Sequence, residues 1–278
     1  MINYRQADLR DKAALQNLWE EAFPQDKGDF STWYFKKLFD INTTYVAESD
    51  NGIAGSLYAP IITLSVKNKP VRVPFVQGVA TQNKQRKQGI AKNLIAFSMD
   101  DLQRKGYPFA VLVPFFEHFY ERLGWQTYAK AHPFNLTNFC VKSCNNIAAL
   151  YTIQTPKNHD DLTKIYDQFG SSFYSYPLRD ETRWQNILHD HKTDGGLIYM
   201  TDSAYLLFFI ENDKLKIREL AYTSKEAAED LLNKTIQKLQ LPHLEYTKQP
   251  NAMYYDLHNK GTQRSAFPID NSYFNELF

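Results

Sequence analysis

Cysteine is scarce in this chain of 278 residues: it occurs only as Cys140 and Cys144. One pair cannot build the disulfide framework of a small secreted domain, and no second pair exists to complete a tetrahedral zinc site. Two reduced thiols and no metal centre are expected. A surplus of one charge is also missing, since 32 basic and 31 acidic side chains leave a formal net charge of +1. That balance has no long-range field to draw in a nucleic-acid backbone or an anionic membrane, so neither is expected as a partner. No stretch approaches the roughly 18 apolar residues of a membrane-spanning helix. The N-terminus, MINYRQADLRDK, is charged where a signal peptide needs its apolar core. A cytoplasmic protein is the expectation. The glycine signatures of nucleotide binding, G-x-G-x-x-G and G-K-S/T, are absent as well.

Aromatic residues are abundant, with 18 Tyr and 19 Phe. The polar tip of Tyr is satisfied at the rim of a pocket, so this composition suits clefts as well as β-rich cores. The length favours two domains, each large enough to bury a core.

The chain is organised around Val76 to Lys92, VQGVATQNKQRKQGIAK. An apolar extended run, Val76 to Ala80, meets a polar turn, Asn83 to Gly89, which opens into a helical pattern from Ile90. The loop carries Arg86, Gly89 and Ala91 as R-x-x-G-x-A, with small residues where a phosphate would have to approach the backbone. A helix begun this way aims unpaired N–H groups and the positive end of its dipole at whatever sits before the loop, and a pyrophosphate is the natural occupant.

Before this stretch the pattern predicts a strand at residues 2–6, then a helix capped by Asp8 that carries Leu15, Leu18, Trp19, Ala22 and Phe23 on one face and ends at Pro24. A second helix spans Phe30 to Phe39. Strands come next at Thr44 to Ala47 and Ile53 to Ser65, separated by the turn Asp50-Asn51-Gly52, and another turn lies at Lys67 to Pro70. After the loop, Ile90, Leu94, Ile95, Met99 and Leu102 define a helix closed by Gly106. Phe109 to Val113 reads as a strand buried on both faces, which makes the strand, helix and strand a right-handed βαβ unit. The segment EHFYERLGW gives a short helix, and Trp125 to Ala129 a strand. The second half predicts helices at 160–169 and 179–189, three antiparallel strands at 197–200, 205–210 and 214–221, and a helix from Ser224 to Leu239.

Strand, R-x-x-G-x-A loop and helix, with a downstream F-Y-x-x-L-G-W segment (Phe119 to Trp125), resemble the GNAT acetyltransferases, whose acetyl-CoA motif reads R/Q-x-x-G-x-G/A after a strand. The resemblance implies an α/β (α+β) GNAT fold with a mixed, mostly antiparallel sheet and flanking helices. The second half repeats the element order without the loop, and Glu219 to Ser224 holds no R-x-x-G-x-A. This tandem is similar to the "enhanced intracellular survival" type, in which an active GNAT half is fused to a degenerate one, here without a full sterol-carrier-like domain. The implied domains are 1–150, binding acetyl-CoA, 151–242, degenerate, and a packed aromatic tail, 243–278.

The resemblance also implies roles. Val79, Ala80 and Thr81 lie on a strand that splays from its neighbour and pairs with the pantetheine arm, one N–H facing the thioester oxygen. Arg86, Lys87, Gln88, Gly89, Ile90, Ala91 and Lys92 hold the pyrophosphate. Tyr120 is the general acid for the departing thiolate, with Glu117 and His118 within one turn of it. The C-terminal carboxylate, on Phe278, is the base implied by that branch. The branch commonly has Pro-Ser-Glu where this chain has Pro114-Phe115-Phe116, which makes a polar edge of the thiol pocket aromatic. The expected activity is transfer of an acetyl group from acetyl-CoA to a small-molecule or peptide amine, by a chain that assembles with itself. A non-catalytic acyl-CoA sensor or scaffold is the alternative, favoured by Phe115 and Phe116. A transferase acting on charged tRNA would need a basic tract, which is absent.

Overall fold

A computed structural model of the chain describes residues 1–132, 134–136, 151–152, 159–241, 243–247, 251–260 and 271–276. Cys140, Cys144 and Phe278 lie outside the described residues. Strand β1 (Asn3–Gln6) leads to a capping box in which the Asp8 carboxylate accepts from the Arg10 N–H and Asp11 accepts from the Asp8 N–H. Helices α1 (Lys12–Ala22) and α2 (Asp29–Lys37) come next, then strands β2 (Thr44–Ser49), β3 (Gly52–Tyr58), β4 (Ile61–Val66) and β5 (Lys69–Thr81). The single strand expected over 53–65 is two, broken at Ala59-Pro60, because proline has no N–H to give a ladder. Lys67 and Asn68 both have positive φ, 51° and 60°, the tight turn that joins β4 to β5. Helix α3 (Ile90–Arg104), strand β6 (Phe109–Leu112), helix α4 (Glu117–Glu121) and strand β7 (Gln126–Ala129) complete the first half.

The second half holds β8 (Tyr151–Thr152), α5 (His159–Gly170), β9 (Ser175–Pro177), α6 (Glu181–Thr193), β10 (Leu197–Met200), β11 (Ala204–Glu211), β12 (Lys214–Tyr222) and α7 (Lys225–Leu239). Ser224 caps α7 as its position predicts, accepting at Oγ from the Ala227 N–H at 3.2 Å. Two strands that the sequence pattern does not announce come after it, β13 (His243–Tyr246) and β14 (Ala252–Asp256).

Contacts divide the chain into two interleaved units. The first comprises Met1–Ile62, Arg72–Thr127 and Ala252–Ala266; the second comprises Thr63–Val71, Tyr128–Asn251 and Phe267–Phe278. In the first unit the strand order is β1-β2-β3-β5-β6-β14, with the start of β7 beyond β14. The β1-β2, β2-β3, β3-β5 and β6-β14 pairings are antiparallel, and β5 with β6, joined through α3, is parallel. Its core gathers Leu57, Val76, Ile90, Leu94, Leu112, Trp125 and Met253. In the second unit the order is β13-β12-β11-β10-β8, and β12 with β13, joined through α7, is the parallel pair. Its cores lie on Leu162, Tyr166, Trp184 and Tyr205, and on Leu206, Phe208, Ile217 and Leu231. Each unit is a mixed, mostly antiparallel sheet with flanking helices. Among the described residues no helix is long and apolar enough to cross a membrane, and no cluster of His, Cys, Asp and Glu is placed to hold a metal ion.

Candidate active site

The site begins where β5 leaves β6. The two strands pair only at Phe75 with Val111 and Val76 with Leu112, and there β6 ends. Beyond that point β5 runs beside β3 alone, with Ser56 opposite Ala80 and Tyr58 opposite Gln77, so that Gly78 and Val79 together face Leu57. Two residues against one is a β-bulge, which bends the strand and re-aims the residues beyond it. Gly78 makes the bulge possible: its φ is +57°, and a Cβ there would lie 2.5 Å from Trp19 and 2.6 Å from Tyr58. Past the bulge the Gln82 N–H donates to the Ala54 carbonyl at 2.9 Å. Alternation along the strand then turns Ala80 toward β3, and turns the N–H and C=O of Val79 and Thr81 to the side that β6 has left. Val79 and Thr81 are half-buried and Ala80 is buried.

The loop after β5 is held from within and from α1. Asn83–Gln85 form a 3-10 turn, the Asn83 N–H donates to Glu21 Oε1 at 2.8 Å, and Arg86 Nε donates to the Thr81 carbonyl at 3.3 Å. Arg86, Lys87, Gln88 and Lys92 are exposed, and Ala91 is half-buried. Ile90 is buried in the core, so what it presents to the loop is its backbone N–H. Gly89, at φ +78°, is the N-cap residue of α3 and makes no side-chain cap, and a Cβ added there would meet nothing within 4 Å. The first turn of α3 therefore keeps its orphan donors, with open space before them. Glu21 is a contributor that the sequence pattern misses, since nothing near Asn83 signals a carboxylate from α1.

Tyr120 stands on α4 with its ring edge-on to Trp125 at 5.9 Å, packed on the same core cluster as Val79. The turn after α4 fixes it, the Leu123 and Trp125 N–H groups donating to the Tyr120 carbonyl at 2.9 and 3.1 Å. Among the described residues its hydroxyl has no hydrogen-bond partner, and burial pushes its pKa up to about 12. The phenol is thus a proton donor at neutral pH. His118 pairs with Glu121 at 3.1 Å on the surface, and Glu117 accepts from Thr127 at 3.4 Å, so neither contacts the phenol. Phe115 and Phe116 are 87% and 68% exposed, packed edge to face at 4.6 Å just beyond the end of β6.

The second unit repeats the strand geometry without the opening. Strand β12 pairs with β13 only from Lys214 to Ile217, and Arg218 is the extra residue of a bulge against β11. Only Thr223 and Ser224 separate β12 from α7, and Ser224 closes the helix end that Gly89 leaves open. The orphaned Arg218 carbonyl accepts from Asn275 Nδ2 at 2.9 Å.

A splayed strand thus runs into an open loop at an uncapped helix end. Residues 3–128 match the family model described as "Acetyltransferase (GNAT) domain". This match gives the chain a GNAT acetyltransferase domain over residues 3–128; the GNAT family generally uses acetyl-CoA and performs acyl transfer. No curated protein matches the sequence. Among solved structures it is similar to a conserved protein of unknown function, a probable N-acyltransferase, from Enterococcus faecalis V583, with TM-score 0.72, 14% identity, and coverage of 92% of this chain and 72% of that one. A GCN5-related N-acetyltransferase from Anabaena variabilis gives 0.70 at 17% identity, over 92% and 73%. Eis1 from Mycobacterium abscessus gives 0.63 at 14%, over 90% of this chain and 66% of that one. At these identities the likeness is one of fold, and it extends over both halves.

Proposed function

We propose that the chain transfers an acetyl group from acetyl-CoA to an amine, using the site of the first unit. The observation that carries this reading is the edge of Val79 and the Thr81 N–H that β6 leaves unpaired, leading into the open, uncapped start of α3. The donor brings an acyl group activated as a thioester. Its pyrophosphate fits the N–H groups of residues 89–92 and the cations of Arg86 and Lys87, where Gly89 leaves room for it. Val79 and Thr81 offer strand hydrogen bonds to the amide-bearing arm, and an N–H of this edge stabilises charge gathering on the thioester oxygen. Tyr120 gives its proton to the departing thiolate. Burial raises the phenol, and the same dry surroundings raise a thiol in the same direction.

Calorimetry with acetyl-CoA tests the donor site. Gly89→Asp places bulk and negative charge where the pyrophosphate would lie, and binding should be lost with the fold intact. Unchanged affinity would remove the assignment. A second reading, a non-catalytic acyl-CoA-binding protein, is favoured by the aromatic Phe115-Phe116 edge. Release of free thiol from acetyl-CoA across a panel of amines separates the two, since a sensor would release none.

A further inference from the structure

Five consecutive residues late in the chain, Ser272 to Glu276, are at most 6% exposed, although two are polar and one is acidic. Their backbone is paired on both sides. The Tyr273 N–H donates to the Ser175 carbonyl at 2.9 Å, and the Tyr174 N–H donates to the Asn271 carbonyl at 2.6 Å. On the other flank the Lys130 N–H donates to Ser272 at 3.1 Å and the Phe274 N–H to Lys130 at 3.1 Å. The segment is thus bridged on one side to Ser175, at the start of β9, and on the other to Lys130, just past β7.

Three of its side chains, Tyr273, Asn275 and Glu276, are each read by a different group, whereas the Ser272 hydroxyl is buried without a partner among the described residues. The Tyr273 hydroxyl donates to Glu219 Oε2 at 3.0 Å, and its ring stacks on Phe173 at 5.4 Å. The Asn275 amide claims the Arg218 carbonyl that the bulge in β12 exposes. Glu276 accepts from Arg179 Nε at 2.7 Å and from Arg183 Nε at 2.7 Å. Arg179 also grips Glu219 through both terminal nitrogens at 2.7 Å and stacks on Tyr166 at 4.0 Å. Two guanidinium groups thus balance two carboxylates with side chains at most 18% exposed. A tail that merely covered apolar surface would need no carboxylate there, because a buried ion pair specifies one arrangement more than it stabilises it. Backbone pairing for affinity with side-chain readout for sequence is how folded domains recognise extended peptides by strand addition.

We propose that the second unit is a peptide-binding module whose resident ligand is the segment Asn271 to Glu276 of its own chain, selected through Tyr273, Asn275 and Glu276. Where the first unit leaves its bulged strand open, the second has one carbonyl of the equivalent edge, that of Arg218, met by the Asn275 side chain of this segment. This assignment is independent of the acetyl-transfer reading.

The test uses the full chain with a specific protease site inserted after the exposed Lys260. After cleavage the fragment should co-elute with the protein on gel filtration. Its exchange against an excess of labelled peptide NSYFNELF is then timed for the wild type, Glu276→Gln and Tyr273→Phe. Glu276→Gln should exchange roughly tenfold faster or more, having lost charge-assisted bonds, and Tyr273→Phe several-fold faster. Tyr273→Phe keeps the ring packing, so it stays informative if Glu276→Gln fails to fold. Loss of the wild-type fragment from an otherwise folded protein overturns the proposal, and so do equal exchange rates, which would mark plain hydrophobic packing.

Discussion

Replacing Gly78 by Ala is the sharpest probe of how the first unit opens its site. The residue is at φ +57°, where an L side chain costs about 1–2 kcal/mol. Its new methyl would also lie 2.5 Å from Trp19 and 2.6 Å from Tyr58, two rings that are 2% and 1% exposed and have no room to yield. Overpacking of this kind adds about 1–3 kcal/mol, and the lower entropy of an unfolded Ala returns about 0.4–1 kcal/mol. The net loss is about 2–4 kcal/mol. Gly89→Ala is the internal control, because its φ is +78° but its methyl meets nothing, leaving a net cost of about 1 kcal/mol. In urea, with a slope of about 2 kcal/mol/M, Gly78→Ala should lower the midpoint by about 1–2 M and Gly89→Ala by about 0.5 M. Gly78→Ala should also weaken acetyl-CoA binding, since the bulge aims Val79 and Thr81. Equal midpoints for the two variants would refute the reasoning, because strain alone would then account for both.

Tyr120→Phe keeps the edge-on packing against Trp125 and deletes only the proton, so thiol release should fall about 10²–10⁴-fold while donor affinity stays within a few-fold; normal turnover would return Tyr120 to the core. His191 donates from Nε2 to the Leu197 carbonyl at 2.9 Å and leaves Nδ1 unpartnered; burial first, with the Arg218 charge adding to it, lowers its pKa from 6.5 to about 4. The fold therefore favours the neutral ring, so stability present above pH 6.5 is lost as the pH falls through 4, by at most about 3 kcal/mol at 1.36 kcal/mol per unit. Urea titrations from pH 7 to 4 should show that slope in the wild type and a smaller one in His191→Gln, and equal slopes would count against it. A chain ending at residue 260 should keep the donor binding proposed for the first unit and one ending at 250 should lose it, because β14 brings the buried Ala252, Met253 and Tyr254 to the edge of β6; calorimetry on both decides, and binding by the shorter chain would show β14 to be dispensable.

What the sequence makes legible is local. Ser224 before an apolar helical face, Lys67-Asn68 and Asn212-Asp213 between alternating runs, and Arg86, Gly89 and Ala91 after a strand each act through neighbours in the chain, and the structure places cap, turns and loop there. What stays hidden is non-local. Met253 pairs with Leu112 across most of the second half, and no periodicity in AMYYD says which strand it will join. Glu21 reaches the loop from α1, and its residue type gives no sign of the N–H it will meet. Tyr254, Tyr273 and Phe274 are buried as aromatics commonly are, but Glu276 reads as a solvated charge until Arg179 and Arg183 are seen around it. Gly78 lies between: a glycine inside a strand signals a bulge, yet only Trp19 and Tyr58 show why nothing else fits.

The two units argue that strand geometry alone does not make a donor site. Each has a strand paired in parallel through a helix, bulged against its antiparallel neighbour, and free of its parallel partner for the last residues, 77–81 in one and 218–222 in the other. Free strand edges do not persist inside a protein, since a buried N–H or C=O without a partner costs about 1–3 kcal/mol. The ends of the helices decide what satisfies them. Residues 82–89 carry the first unit from strand to helix over an uncapped, glycine-led opening, the place proposed for the donor's pyrophosphate. Thr223 and Ser224 make the same passage in the second unit with the helix end already capped, which leaves nothing to hold a pyrophosphate. Without that anchor a small ligand has little hold on the edge, and the Asn275 amide of the same chain takes its Arg218 carbonyl at high effective concentration. The carbonyl that the bulge in β12 exposes is thus met from within the chain by an amide side chain, where the first unit leaves its bulged edge to the open loop.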